Sequence, residues 1–303
     1  MRILITGGTG LIGSMLVRNL LRQGHKLTVL TRDTIKAKQK FSDEVEVCET
    51  LDFIDTLDGY NAIINLAGEP MLGKRWTERQ KEKLCNSRWD ITERLTHLIK
   101  KSNNPPKIFI SGSAIGYYGA QDNKVLDENA PFRDDFTHQL CEKWERMALD
   151  AQSERTRVCI IRTGIVLSKE GGMLPAMLLP FRLGLGATFG KGNQYISWIH
   201  IQDMVNAIIF MLDMPEARGV FNVTAPNPVT NKRFANVLST TIYRPRLFRI
   251  PSFLLKMIIG ESATMITEGQ RVVPKRLLEL HFRFVFEHLD ESLKDIIGGK
   301  NRI

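Results

Sequence analysis

Gly7, Gly10 and Gly13 recur at three-residue spacing within Thr6-Gly7-Gly8-Thr9-Gly10-Leu11-Ile12-Gly13. That spacing suits phosphate chemistry. The first glycine permits a tight turn, the second lets backbone approach a pyrophosphate, and the third lets a helix cross a strand closely. A helix opening at Leu11 would offer the anion unpaired N–H groups and the positive end of its dipole. Gly7, Gly10, Leu11, Ile12 and Gly13 are therefore the expected cradle. About 18 or 19 positions after Gly13, where an NAD site places an acid on the ribose, stand Thr31 and Arg32. A hydroxyl and a planar, permanently charged guanidinium suit a 2′-phosphate that a carboxylate would repel. The pair points to NADP(H) rather than NAD(H), with the neighbouring Asp33 as the feature that argues against it.

A cradle of this kind needs a strand before it and a helix after it. Residues 2–6 read as a strand buried on both faces. Residues 11–23 carry Leu11, Met15, Leu16 and Leu20 at helical spacing and stop at Gly24. Further strands are expected at 26–31, 45–48, 61–67, 107–111 and 158–162, with helices at 78–102 and 136–152. This alternation predicts an α/β fold, a Rossmann-type doubly wound parallel sheet. After Gly164 the pattern changes. Gly171-Gly172, Pro175, Pro180 and the glycine-rich stretch 184–192 predict irregular connections, 196–212 a strand then a helix, and 291–297 a final amphipathic helix. The expected organisation is a core over 1–166 with a return segment at 194–224. A smaller C-terminal substrate lobe comprises 167–193 and 225–303. No repeat or long linker separates them, so they are expected to pack as one unit.

Composition narrows the functional classes. The chain has 303 residues, 43% hydrophobic and 25% charged, which excludes a disordered tail. Its apolar runs fall short of the roughly 18 residues a membrane span requires. Met1-Arg2 leads straight into the first strand, so no secretory segment is expected. Cys48, Cys85, Cys141 and Cys159 are scattered, without a CxxC pair or histidines at zinc spacing, which argues against a disulfide framework and a structural metal. A reducing cytoplasm is the expected compartment. The net charge of +9 is spread along the chain without a nucleic-acid signature, so a phosphate-bearing or otherwise anionic small molecule is the expected partner. A homodimer is the assembly left open.

Additional runs carry a resemblance. Asn65-Leu66-Ala67-Gly68 ends the fourth strand, Ser111-Gly112-Ser113 the fifth, and Trp198-Ile199-His200-Ile201-Gln202-Asp203 follows later. With the glycine loop, these resemble the extended and atypical short-chain dehydrogenase/reductases. Ala67-Gly68-Glu69-Pro70, Lys74-Arg75-Trp76, Ser113 to Gly119, Leu140 to Glu145, Arg162-Thr163-Gly164 and Gln270 to Arg276 narrow the resemblance to the bacterial YfcH-type epimerase family proteins. The resemblance implies a Rossmann core, NADP(H) binding with Leu66, Ala67 and Gly68 beside the cofactor, and a C-terminal lobe peculiar to the group. It does not imply a settled reaction.

The chain departs from that pattern where proton transfer belongs. Related dehydrogenases use a serine or threonine after strand five and a YxxxK pair on the next helix. Ser113 takes the serine position, but registering on Glu145 puts Thr137 in place of tyrosine and Cys141 in place of lysine. His138 and Lys143 lie within a short slip of that register. Tyr117 and Tyr118, at the carboxyl end of the sheet, are candidate replacement acids or else an aromatic wall. Glu69 either orients the ribose or pairs with a cation. Lys74 and Arg75 either clamp phosphates or an anionic substrate, or form a solvated helix start with Trp76 in the core. For His200 and Asp203 buried structural hydrogen bonds are expected, and Arg271 and Lys275 would share a face if their stretch were helical. Two readings follow. One is an NADP(H)-dependent oxidoreductase or epimerase; the other is a non-catalytic NADP(H)-sensing or scaffold protein.

Overall fold

Residues 1–298 are described by the computed structural model. The strands β1 (Arg2–Thr6), β2 (Lys26–Leu30), β3 (Val45–Cys48), β4 (Ala62–Asn65) and β5 (Ile108–Ala114) are joined by two more, β6 (Arg157–Thr163) and β7 (Gly219–Val223). All seven run parallel in the order β7-β6-β5-β4-β1-β2-β3. The order reverses between β1 and β4, and ligands of open α/β sheets bind in the crevice at such a switch point.

Period-two alternation serves two cores. Ile3 and Ile5 pack with Leu16 and Leu20 of α1 (Leu11–Arg22). Leu4 faces the other way, onto Ile63 and onto Leu95 and Leu98 of α3 (Glu78–Lys101). Burying each such side chain contributes about 1.5–3 kcal/mol, which is why these strands read as continuous apolar runs. Helix α2 (Thr34–Phe41) follows β2, and α4 (Phe136–Leu149) packs against α3.

The later segments hold more regular structure than their prolines and glycines suggest. Helix α5 (Met173–Arg182) includes Pro175 in its first turn, where the missing N–H has no intrahelical acceptor to lose, and Pro180 near its end. Strand Trp198–His200 leads into α6 (Ile201–Asp213), and α7 (Asn231–Thr241) and α8 (Ser252–Ile259) follow. A third core joins Leu174, Phe181, Trp198, Phe234 and Leu293. The final helix is Leu289–Gly298, slightly longer than its pattern indicated. The region around Arg271 and Lys275 is not one helix. Arg271–Val272 pairs as a strand with Val125–Leu126, and Lys275 opens a short helix whose N-cap is Pro274, a residue that lies between the two elements. Among the described residues no helix is long and apolar enough to cross a membrane, and no cluster of His, Cys, Asp or Glu is arranged to hold a metal ion.

Candidate cofactor and substrate site

The glycine loop is built as its spacing requires. Gly7 has φ of 69°, and a Cβ there would lie 2.6 Å from Leu66 C. The same atom on Gly13 would lie 2.2 Å from Gly7 O, so loop and helix meet without room for a methyl group. Gly10 caps α1 with no side-chain hydrogen bond, leaving the N–H groups of the first turn to a ligand. Thr6 fastens the loop to β4. Its Oγ1 donates to Asn65 Oδ1 at 2.6 Å and accepts from Ala67 N at 3.2 Å. At the end of β2, Asp33 accepts from Lys36 N at 2.9 Å and so caps α2. Thr31 Oγ1 accepts from Asp33 N, and Arg32 is exposed beside them. Lys40 Nζ donates to Thr9 O at 3.2 Å, adding a second cation above the loop.

A cavity of about 340 Å³ opens at the switch point. Ile12, Leu66, Ser113, Thr137, Thr163 and Gln270 all contribute to its wall, so α1, three strand ends, α4 and the C-terminal region share one space. Ser113 is the polar centre of that wall. Its Oγ donates to Glu145 Oε1 at 2.6 Å, and Arg162 holds the same carboxylate through Nε and Nη2, both at 2.8 Å. Burial alone would lower the Arg162 pKa, but the contacts to Glu145 and Tyr118 outweigh it and hold the guanidinium above its ordinary value.

The structure separates Ser113 from the other expected catalytic groups. Neither Tyr117 nor Tyr118 contributes to the cavity wall. Tyr118 is fully buried; its hydroxyl donates to Asn222 Oδ1 at 2.7 Å and accepts from Arg162 Nη1 at 3.0 Å. Burial pushes its pKa up to about 12, despite the opposing pull of Arg162. The Tyr117 ring lies under the Arg162 guanidinium, 3.4 Å from centroid to Cζ. A short turn after β5 directs both rings onto that arginine, where a buried charge and aromatic faces attract. His138 also stands outside the wall, stacked on Phe132 with Nδ1 at 2.7 Å from Tyr117 O. Thr137 and Cys141 do reach the cavity. The single hydroxyl hydrogen of Thr137 lies between Gly116 O at 3.0 Å and Asp135 Oδ1 at 2.7 Å. Burial, reinforced by Glu145, pushes the Cys141 thiol up to about 12.

Other expected residues serve the framework. The Glu69 carboxylate is held by Lys74 at 2.8 Å and Lys83 at 3.6 Å, and Lys74 is the stronger cause of its lowered pKa. Arg75, expected on the cofactor, instead donates to the carbonyls of Met257 and Ile258 at the end of α8; unfilled helix-terminal acceptors attract it. Trp76 is in the core, with Nε1 donating to Met71 O. His200 Nδ1 accepts from Gln202 N at 3.0 Å to cap α6, and Asp203 accepts from Val285 N and Phe286 N. Lys275 pairs with Asp127 at 3.1 Å, while Arg271 covers the Tyr195 ring.

Three site residues carry no role that the sequence motifs assign: Arg88, which lies outside the runs that carry the resemblance, and Glu145 and Arg162, which lie within them. Each has a legible signal. Arg88 falls on the buried stripe of α3 among Leu84, Cys85, Thr92 and Leu95. Glu145 falls among Cys141, Trp144 and Ala148 on α4, and Arg162 ends the run Val158 to Ile161 in β6. A charge at a core position demands a partner.

The chain matches the NAD dependent epimerase/dehydratase family over residues 3–224 and a domain of unknown function over residues 250–296. It is 38% identical to a chloroplastic epimerase family protein of Arabidopsis thaliana, an SDR39U1 homolog, across 98% of this chain and 87% of that protein. It is 34% identical to the epimerase family protein YfhF of Bacillus subtilis, with both chains fully covered (100% each). The human epimerase family protein SDR39U1, whose crystal structure contains NADPH, superimposes with a TM-score of 0.91 at 34% identity, covering 99% of this chain and 100% of that one. With the glycine cradle, the switch-point cavity and a C-terminal region matched as well, the chain belongs to the NAD dependent epimerase/dehydratase family, in its epimerase family protein branch.

Proposed function

We propose that this chain is an NADP(H)-dependent oxidoreductase or epimerase acting on a small anionic, nucleotide-linked metabolite. The observation that carries this reading is the shared cavity, in which the first turn of α1 and the residue Ser113 face the same space as Gln270 of the C-terminal region. Gly7, Gly10, Leu11, Ile12 and Gly13 hold the pyrophosphate in this reading, with Leu66, Ala67 and Gly68 lying along the half of the dinucleotide beyond it. Thr31 and Arg32 take the 2′-phosphate. Capping by Asp33 supports that assignment, because a carboxylate engaged with the N-terminus of α2 is withdrawn from the ribose. The NADPH bound to the human relative supports it as well. When bound, the nicotinamide supplies a hydride acceptor or donor.

Ser113 is the catalytic residue of this reading. A hydroxyl whose hydrogen points at Glu145 presents its lone pairs to the cavity and accepts a hydrogen bond from a substrate hydroxyl. Tyr117 and Tyr118 are positioning residues, acting through Arg162 on the same carboxylate. Segments 167–193 and 225–303 select the substrate, and the surplus of positive charge favours an anionic one. Cytoplasmic residence suits the four free cysteines. A second reading, cofactor sensing without turnover, is favoured by Cys141, a buried thiol where the resemblance places a lysine. The deciding experiment incubates the chain with NADP(H) and a panel of nucleotide sugars, following reduced-nicotinamide absorbance for net oxidation or reduction and separating the sugars by chromatography for epimerisation, which returns the hydride and leaves the absorbance unchanged. Turnover that Ser113→Ala abolishes, with cofactor affinity retained, supports the enzyme. Tight NADPH binding with no turnover across the panel supports the sensor.

A further inference from the structure

Helix α8 is apolar nearly all round, yet none of its residues is buried. Six of its eight residues are Phe, Leu, Met or Ile, and Phe253, Met257 and Ile258 stand 66%, 64% and 65% exposed. A helix apolar all round belongs in an interior, and one this short owes its stability to packing rather than to propensity. The exposed face continues beyond it. Through Pro251 the chain leads back to the strand Phe248–Ile250, which pairs in parallel with Ala187–Phe189, and Phe248 N donates to Gly186 O. That pairing runs the stretch holding Leu247 and Phe248 alongside the one holding Leu183 and Leu185, and all four side chains are exposed. Contiguous exposed apolar surface marks an interaction site.

The charge on this face has one sign. Asp and Glu are missing from residues 171–202 and 217–260, the stretches that supply it, while Arg182, Arg244, Arg246, Arg249 and Lys256 fall within them. Where these arginines donate, the acceptors are neutral: Arg244 Nε to Arg182 O at 3.1 Å, Arg246 to Thr188 Oγ1 and Arg249 to Gly190 O. Among the described residues none of the five cations pairs with a carboxylate. Apolar side chains interleaved with uncompensated cations suit a surface that is oily within and negative outside, which is an anionic bilayer. The apolar groups enter the acyl boundary, and the long basic stems reach back to the headgroup phosphates. Lying on a bilayer requires no spanning helix. A second copy is the poorer occupant, because an isologous contact would set the same five cations against themselves. We propose that α8 and the adjoining stretches 183–185 and 247–249 form a docking face for anionic membrane lipid, holding the chain at a bilayer surface.

Flotation of the full chain with vesicles of equal parts phosphatidylcholine and phosphatidylserine tests this. The native chain should float with them, and its affinity should fall by at least about tenfold on vesicles of phosphatidylcholine alone. Phe253→Ser combined with Ile258→Ser should weaken binding to the mixed vesicles by at least about tenfold, since both apolar anchors are lost. Arg244→Gln combined with Lys256→Gln should weaken it by about thirtyfold, the effect of two charges near an anionic surface, and carries the test if the serine pair does not fold. A native chain that stays behind in the soluble fraction would overturn the proposal, as would equal binding to both kinds of vesicle. So would a serine pair that floats like the native chain, which would mean that the overall charge of +9 attracts the vesicle without this face. A native dimer in sedimentation that the serine pair dissociates would assign the face to a second copy instead.

Discussion

Replacing Arg162 by methionine would leave the Glu145 carboxylate buried without its counter-charge. The two side chains are only 4% and 6% exposed, and they meet through paired contacts of 2.8 Å. Breaking such a pair from one side costs about 3–5 kcal/mol, because the remaining charge has lost its water and its partner together. Removing both charges with Arg162→Met and Glu145→Leu should cost far less, since the pair's mutual attraction largely repays its desolvation and no more than that. Urea unfolding of the four proteins in this double-mutant cycle measures the coupling. At about 2–4 °C per kcal/mol, the single variant should also lose on the order of 10 °C in melting temperature. A single-variant loss below about 1 kcal/mol, or a double variant that loses the sum of the singles, would refute the reasoning, since a surface-like ion pair is worth no more than that.

Arg32→Ala should reduce the preference for NADPH over NADH by roughly ten- to a hundredfold, the effect of one charge-assisted contact, with both affinities read by fluorescence titration; an unchanged ratio would remove Arg32 from the 2′-phosphate site. Gly13→Ala would place a methyl group 2.2 Å from Gly7 O, so NADPH binding should collapse, and native affinity would show that the loop is no cradle. His200 has its pKa lowered by burial to about 4, and charging it also removes the acceptor that caps α6. Its contribution to stability is present above the unfolded value of about 6.5 and is lost as pH falls towards 4, so His200→Asn, which keeps a capping oxygen, should flatten stability over that window; identical pH profiles would reject this.

Local physics determined much of this protein from its sequence. The glycine spacing fixed a turn that only small residues can make, and the two-residue and helical periodicities fixed which segments became strands and helices, because both depend on near neighbours. The chain after Gly164 was harder to read, since prolines at the first turn and end of α5 look like breakers until the helix around them is known. The site was decided by tertiary structure. Tyr118 carries the chemistry of an acid, yet its hydroxyl closes on Asn222, 104 residues further along, and only the pairing of β6 with β5 and β7 brings those partners together. Arg75 looked like a phosphate clamp from its neighbours, but the carbonyls it meets lie 182 and 183 positions away. Arg88, Glu145 and Arg162 marked themselves as charges at core positions, although periodicity cannot say which charge compensates which. That choice depends on the distances between strands and helices remote in sequence, and it left Glu145 paired with Arg162 and Arg88 facing the cavity.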